Sequence, residues 1–161
     1  MSFFYLDSSA LVKRYLPEAG TNWLDQIFDP VSGHILITSQ LTLAETAAVL
    51  GARGRAPGGL STRRRERLLS QLLEDTNRLF MLIPVQRQII MQAVQLSQKY
   101  RLRGYDSVQL ASALAARRVL IEQFSEPELI LLASDQDLLD AGQREGIQSI
   151  DPAKQTFQKD T

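Results

Sequence analysis

Short, unbroken apolar runs alternate along the chain with longer stretches whose apolar residues recur every three or four positions. The runs predict strands over residues 3–6, 34–38, 79–83, 128–133 and 147–150. The periodic stretches predict helices over residues 10–16, 21–28, 40–51, 61–77, 86–100, 106–119 and 136–145. Pro17, Pro84, Gly104 and Gly146 supply the breaks, and Thr21 and Ser39 stand at N-cap positions. Residues 51–61, GARGRAPGGLS, read as a loop that folds helices 40–51 and 61–77 into an αα-hairpin. Ile89, Ile90, Ala93, Val94 and Ser97 mark the inner face of helix 86–100, and Val108, Ala111, Leu114 and Ala115 that of helix 106–119. Strands that are apolar throughout, not alternately, belong to a parallel sheet covered on both faces. The pattern therefore predicts an α/β layer fold with a mostly parallel sheet.

Length and composition narrow this without changing it. The 161 residues suit one domain with a real core, placed at residues 1–151, and a polar tail, 152–161, expected to fray. The 18 Lys and Arg balance the 18 Asp and Glu, so any case for nucleic-acid binding rests on local charge. The chain has no cysteine. That excludes disulfides, thiolate metal sites and cysteine nucleophiles, and it fits a reducing cytoplasm, the expected compartment. The N-terminus lacks a basic region and Asp7 interrupts its apolar run, so no signal peptide is expected. No apolar stretch approaches the roughly 20 residues of a membrane span.

The chemistry lies in four carboxylates. Asp7, Asp106 and Asp135 each stand where a helix begins, and Glu45 completes a T-x-x-E capping pattern with Thr42. Singly, each reads as a helix cap. Together they read differently. Asp7 and Asp135 follow the ends of parallel strands, where open α/β sheets form their ligand crevice. Glu45 has Leu41, Ala44, Ala48 and Val49 as helical neighbours, and it comes late for a cap if Ser39 is the N-cap. Asp106 opens a helix that must pack beside the sheet. Four acids converging at one edge need raised pKa values or a cation. Oxygen donors alone select a hard ion, Mg²⁺ or Mn²⁺, of the kind that activates water for phosphoryl displacement.

These residues resemble a known family. Tyr5-Leu6-Asp7-Ser8-Ser9-Ala10-Leu11-Val12-Lys13 resembles the opening motif of PIN-domain ribonucleases. Leu41-Thr42-Leu43-Ala44-Glu45 resembles their second motif, Tyr105-Asp106-Ser107-Val108-Gln109-Leu110-Ala111 the third, and Leu132-Ala133-Ser134-Asp135-Gln136-Asp137-Leu138-Leu139 the fourth. Length and second motif look most like VapC-type toxins of toxin–antitoxin pairs. The resemblance implies a three-layer α/β/α fold with a parallel sheet of about five strands. It implies an endoribonuclease dependent on Mg²⁺ or Mn²⁺, acting on RNA, usually a homodimer, and inhibited by a small antitoxin protein. The family's acids fall on Asp7, Glu45, Asp106 and Asp135, as metal ligands and catalytic groups. Ser134 falls on the hydroxyl before the last acid, Asp137 on an extra acid, and Ser8 within the first motif.

Arg53, Arg55, Arg63, Arg64, Arg65 and Arg67 form one dense basic segment, longer and richer in arginine than the family leads one to expect. Arginine forks bind phosphate, which makes Arg63 and Arg64 candidate RNA contacts. Arg101 and Arg103, just ahead of Asp106, are better placed. Trp23 and Phe28 read as core and His34 as structural. Two other functions compete: a PIN-like RNA-binding or scaffold protein without turnover, and a sheet-edge phosphatase. The latter would need Asp-x-Asp at the first strand, where this chain has Asp7-Ser8-Ser9.

Overall fold

In a computed structural model describing residues 1–155, the five apolar runs form the strands β1 (Phe3–Leu6), β2 (Ile35–Ser39), β3 (Phe80–Ile83), β4 (Leu129–Leu132) and β5 (Gln148–Ile150). They lie in the order β3-β2-β1-β4-β5, every pairing parallel. Phe3 pairs with Ile35 on one side and Leu129 on the other, which makes β1 the centre of the sheet. Seven helices connect the strands: α1 (Ser8–Leu11), α2 (Thr21–Phe28), α3 (Gln40–Arg55), α4 (Thr62–Arg78), α5 (Arg87–Lys99), α6 (Gly104–Gln123) and α7 (Gln136–Arg144). Among the described residues no helix is long and apolar enough to cross a membrane.

Successive strand residues face opposite sides of the sheet, so each strand feeds two cores. Phe3, Tyr5, Ile37 and Leu131 pack with Ile89, Leu96, Leu110 and Leu138 of α5, α6 and α7. Phe4, Leu6, Leu36 and Leu132 pack with Leu11, Leu24, Leu50 and Leu72 of α1, α2, α3 and α4. The result is the three-layer α/β/α sandwich. Arg14 clips the α4 end of the second layer in place: its Nε donates to Asp75 at 2.7 Å, and its guanidinium lies 4.5 Å from the centre of the Phe28 ring.

Local differences from the sequence reading have identifiable causes. The first helix is one α turn followed by a 3-10 turn, Val12–Arg14. Gly20, not Thr21, is the N-cap of α2, at φ +93°. A side chain there would meet the Pro152 carbonyl at 2.6 Å. That segment is a 3-10 turn, Pro152–Lys154, with Pro152 buried; the rest of the polar tail, residues 156–161, lies outside the described residues. Helix α3 does not stop at Gly51 but runs to Arg55. A Cβ on Gly54 would sit 3.0 Å from the Arg65 side chain, so that glycine admits close approach of the two hairpin helices.

The turn itself is made by Gly58, at φ +68°, and Gly59. A Cβ on Gly59 would lie 1.9 Å from the Arg53 carbonyl oxygen, which accepts a hydrogen bond from Leu60 N. Gly59→Ala is therefore expected to destabilise the fold by about 1–3 kcal/mol, the usual cost of forced overpacking. Urea unfolding of the two proteins checks this; an unchanged midpoint would contradict the hairpin geometry.

Two predicted faces are also redrawn. Helix α5 buries Ile89, Ala93 and Leu96, leaving Ile90 and Val94 exposed. Helix α6 begins at Gly104 instead of Asp106 and is buried almost all round from Ser107 to Ala116.

Candidate active site

Strands β1 and β4 are adjacent and in register, Leu6 against Leu132, so the residues that follow them share one edge of the sheet. Asp7 N donates to Leu132 O at 3.0 Å. One Asp7 carboxylate oxygen accepts from Ser9 N at 3.1 Å and from Ser9 Oγ at 2.6 Å. Ser9 Oγ in turn accepts from Ser134 N at 2.9 Å, which ties the two strand ends together. Asp135 Oδ1 accepts from Leu138 N at 3.0 Å. Asp7 and Asp135 are thus true helix caps, on α1 and α7, as well as neighbours at the rim.

On the other side of β1, β2 delivers α3. Ser39 is its N-cap, accepting from Thr42 N at 3.2 Å, so Glu45 is no partner in a capping box. Nor does Glu45 sit on an apolar buried face: Ala44, Ala48 and Val49 are exposed, and α3 buries Thr42, Thr46 and Leu50 instead. Glu45 is half-buried because α6 stands against it. Gln109 of α6 donates from Nε2 to Glu45 Oε2 at 2.6 Å, while Tyr5 donates its hydroxyl to Gln109 Oε1 at 2.8 Å. Asp106, in the first turn of α6, accepts from Arg103 N at 3.2 Å.

The electrostatics join the four acids. Burial pushes the Asp7 carboxyl above its ordinary range, the negative charge of Asp135 adds to this, and the Ser9 hydrogen bonds oppose it. Burial likewise raises Glu45, with Asp7 and Asp106 adding and Gln109 and the Ser8 hydroxyl opposing. Asp106 is raised by burial and by Asp135 and Asp7, against the Arg103 N–H and the Arg103 charge. Asp7, Glu45 and Asp106 lie in one another's field, and the charge of Asp135 acts on Asp7 and Asp106. Yet among the described residues no three acidic or histidine side chains stand close enough to hold one ion as they are oriented. Each carboxylate is instead turned to its own hydrogen-bond donor.

A cleft of about 320 Å³ opens beside them, walled by Arg101, Arg103, Asp106, Asp135 and Asp137. Ser134 is exposed at its rim. Arg63 and Arg64 are exposed on α4, where Arg64 lines a separate cleft with Glu18, Arg53 and Leu60. His34 stands before β2, at the opposite end of the strand from Ser39; its Nδ1 accepts from Ser2 N, and its ring meets Phe4 edge-on. The sequence reading gave no role to Gln109 or Tyr5, and it passed over Ser9 in favour of Ser8. The one available signal was a glutamine inside the otherwise small and apolar stretch from Val108 to Ala116.

No protein with a curated description matches the chain in sequence. In fold it is similar to a chain of FitAcB from Neisseria gonorrhoeae, with a TM-score of 0.64 and 15% identity over 94% of this chain and 99% of that one. It is similar to a chain of a toxin–antitoxin complex from Klebsiella pneumoniae, at TM-score 0.58 and 17% identity over 94% and 98% of the two chains. A chain of VapBC2 from Rickettsia felis, bound to a DNA fragment from their promoter, matches at TM-score 0.59 and 13% identity over 92% and 98%. The PIN domain family model matches residues 4–141. The motifs at Asp7, Glu45, Asp106 and Asp135 all fall within that span, and the chain belongs to the PIN domain family.

Proposed function

We propose that this chain is a metal-dependent endoribonuclease and the toxin of a toxin–antitoxin pair. The observation that carries the reading is geometric: Asp7 and Asp135 follow adjacent strand ends, Asp106 and Asp135 wall one cleft, and Glu45 lies in the field of Asp7 and Asp106. An all-oxygen donor set of this kind suits Mg²⁺ or Mn²⁺. Asp7, Asp106 and Asp135 would hold the ion, exchanging their present hydrogen bonds for metal bonds, and Glu45 would orient the attacking water or share a second ion. When bound, the ion supplies Lewis-acid polarisation of the phosphodiester and a more acidic water. Arg101 and Arg103, on the wall of the same cleft, would grip phosphates of the RNA. Arg63 and Arg64 would contact more distant backbone. Ser8, Ser134 and Asp137 support the acids from the rim.

The toxin assignment rests on the fold shared with toxin–antitoxin complexes across nearly the whole length of both chains. A small antitoxin protein is then the natural partner. The exposed Ile90, Val94 and Tyr105 offer an apolar surface for a second copy in a homodimer. A second reading, an RNA-binding PIN protein without turnover, is favoured by one observation: the acids are not closed around an ion position.

A labelled single-stranded RNA separates the two. With Mn²⁺, cleavage giving 5′-phosphate and 3′-hydroxyl ends is expected. It should vanish in EDTA and fall at least about a hundredfold in Asp106→Asn, the upper range for losing support of a metal site. Equal cleavage by Asp106→Asn would overturn the nuclease reading. RNA binding with no cleavage under any divalent ion would favour the scaffold.

A further inference from the structure

The Glu45 carboxylate is held differently from the other three. Asp7, Asp106 and Asp135 each accept a backbone N–H from their own helix turn. Among the described residues no backbone N–H is hydrogen-bonded to Glu45; side chains hold it, Gln109 Nε2 at 2.6 Å and the Ser8 hydroxyl. Glutamate has one more rotatable bond than aspartate, so without a fixed donor its carboxylate would sample several positions.

Gln109 is itself fixed. It is fully buried. Its Oε1 takes the Tyr5 hydroxyl at 2.8 Å and lies within reach of the Thr42 and Ser39 hydroxyls at 3.1 and 3.3 Å. Its Nε2 also reaches Thr42 Oγ1 at 3.0 Å. An ionised carboxylate only accepts, so the amide must turn its NH₂ to Glu45 and its carbonyl to the hydroxyls. Strand β1, the β2–α3 corner and α6 thereby fix one amide in three directions. A methionine of nearly the same shape would fill this space but take a partner from the Tyr5 hydroxyl and the Glu45 carboxylate, so the amide does more than pack.

We propose that Gln109 is a positioning residue that aims the Glu45 carboxylate at the metal position, with Tyr5 setting the amide's orientation. The proposal rests on the metal reading above and adds the element that locks its one flexible acid. Buried networks of this type orient ligands in metal sites generally.

The test is a double-mutant cycle on the full chain, read as Mn²⁺ affinity by isothermal titration. Gln109→Met is expected to weaken Mn²⁺ binding about tenfold, within the range for outer-shell supports. In a Glu45→Ala background the same change should alter affinity less than about twofold, because the group it acts through is gone. An equal fall in both backgrounds, or no fall in the first, overturns the positioning role while leaving the metal site standing. Absence of Mn²⁺ binding by the wild type overturns the metal reading and the positioning role with it. Should Gln109→Met not fold, Tyr5→Phe carries the same cycle, since it removes the orienting hydroxyl and keeps Gln109. It too should weaken binding only where Glu45 is present.

Discussion

Asp7→Asn is expected to abolish RNA cleavage and, without metal, to give a protein more stable at neutral pH than the wild type. Both effects come from the position of this carboxylate at the end of the central strand. Asp7 is only 5% exposed, and burial raises its carboxyl above the ordinary 3.8. The folded chain therefore holds that proton more tightly than the unfolded chain. Its contribution to stability is complete below the unfolded value and is lost as pH rises through the higher folded one. At neutral pH the metal-free wild type carries the cost of burying this acid, which asparagine does not. Asparagine still accepts from Ser9 and caps α1 well. Urea unfolding of both proteins from pH 4 to pH 7, without metal, checks this: the advantage of Asp7→Asn should grow with pH. Glu45 and Asp106 push the same way, while His34 and Glu145, whose values are lowered, push the other. Comparing the two proteins at each pH cancels most of these contributions. An advantage independent of pH, or full cleavage by the variant, would contradict the role given to Asp7.

Millimolar Mn²⁺ is expected to raise the melting temperature of the wild type by about 5–10 °C. A ligand of the native state at a hundred times its dissociation constant stabilises by about 2.7 kcal/mol. For a chain of this length each kcal/mol is worth about 2–4 °C. The ion would offset the burial and the mutual repulsion that raise three of the acids, so Asp7→Asn should lose most of the rise and EDTA should reverse it. A flat response across the millimolar range would count heavily against a metal site at this edge.

Much of this architecture is written in the order of residues. The strands were legible because parallel strands buried on both faces are apolar at every position, as Phe3-Phe4-Tyr5-Leu6 and Leu129-Ile130-Leu131-Leu132 are. Asp7, Asp106 and Asp135 were legible because each stands where a helix begins, whereas Glu45 lies inside α3. What could not be read depends on contacts between distant segments. Gly51 and Gly54 look like helix breakers until the Arg65 side chain is seen lying against Gly54. Ile90 and Val94 have core spacing, yet both stay exposed among the described residues. Glu45 has apolar neighbours on its own helix, yet its carboxylate is held by a glutamine that lies far along the chain.

The pairing of β1 with β4 decides when the four acids can meet. The central strand is the first to be synthesised, but its partner on one side, Leu129–Leu132, is among the last. Ser9 cannot engage Ser134, and Asp135 cannot join Asp7, until most of the chain exists and that long-range pairing has closed. A half-made chain emerging from the ribosome holds two of the acids and no completed edge. The four acids therefore come together only after Leu129–Leu132 has been made and has paired with β1.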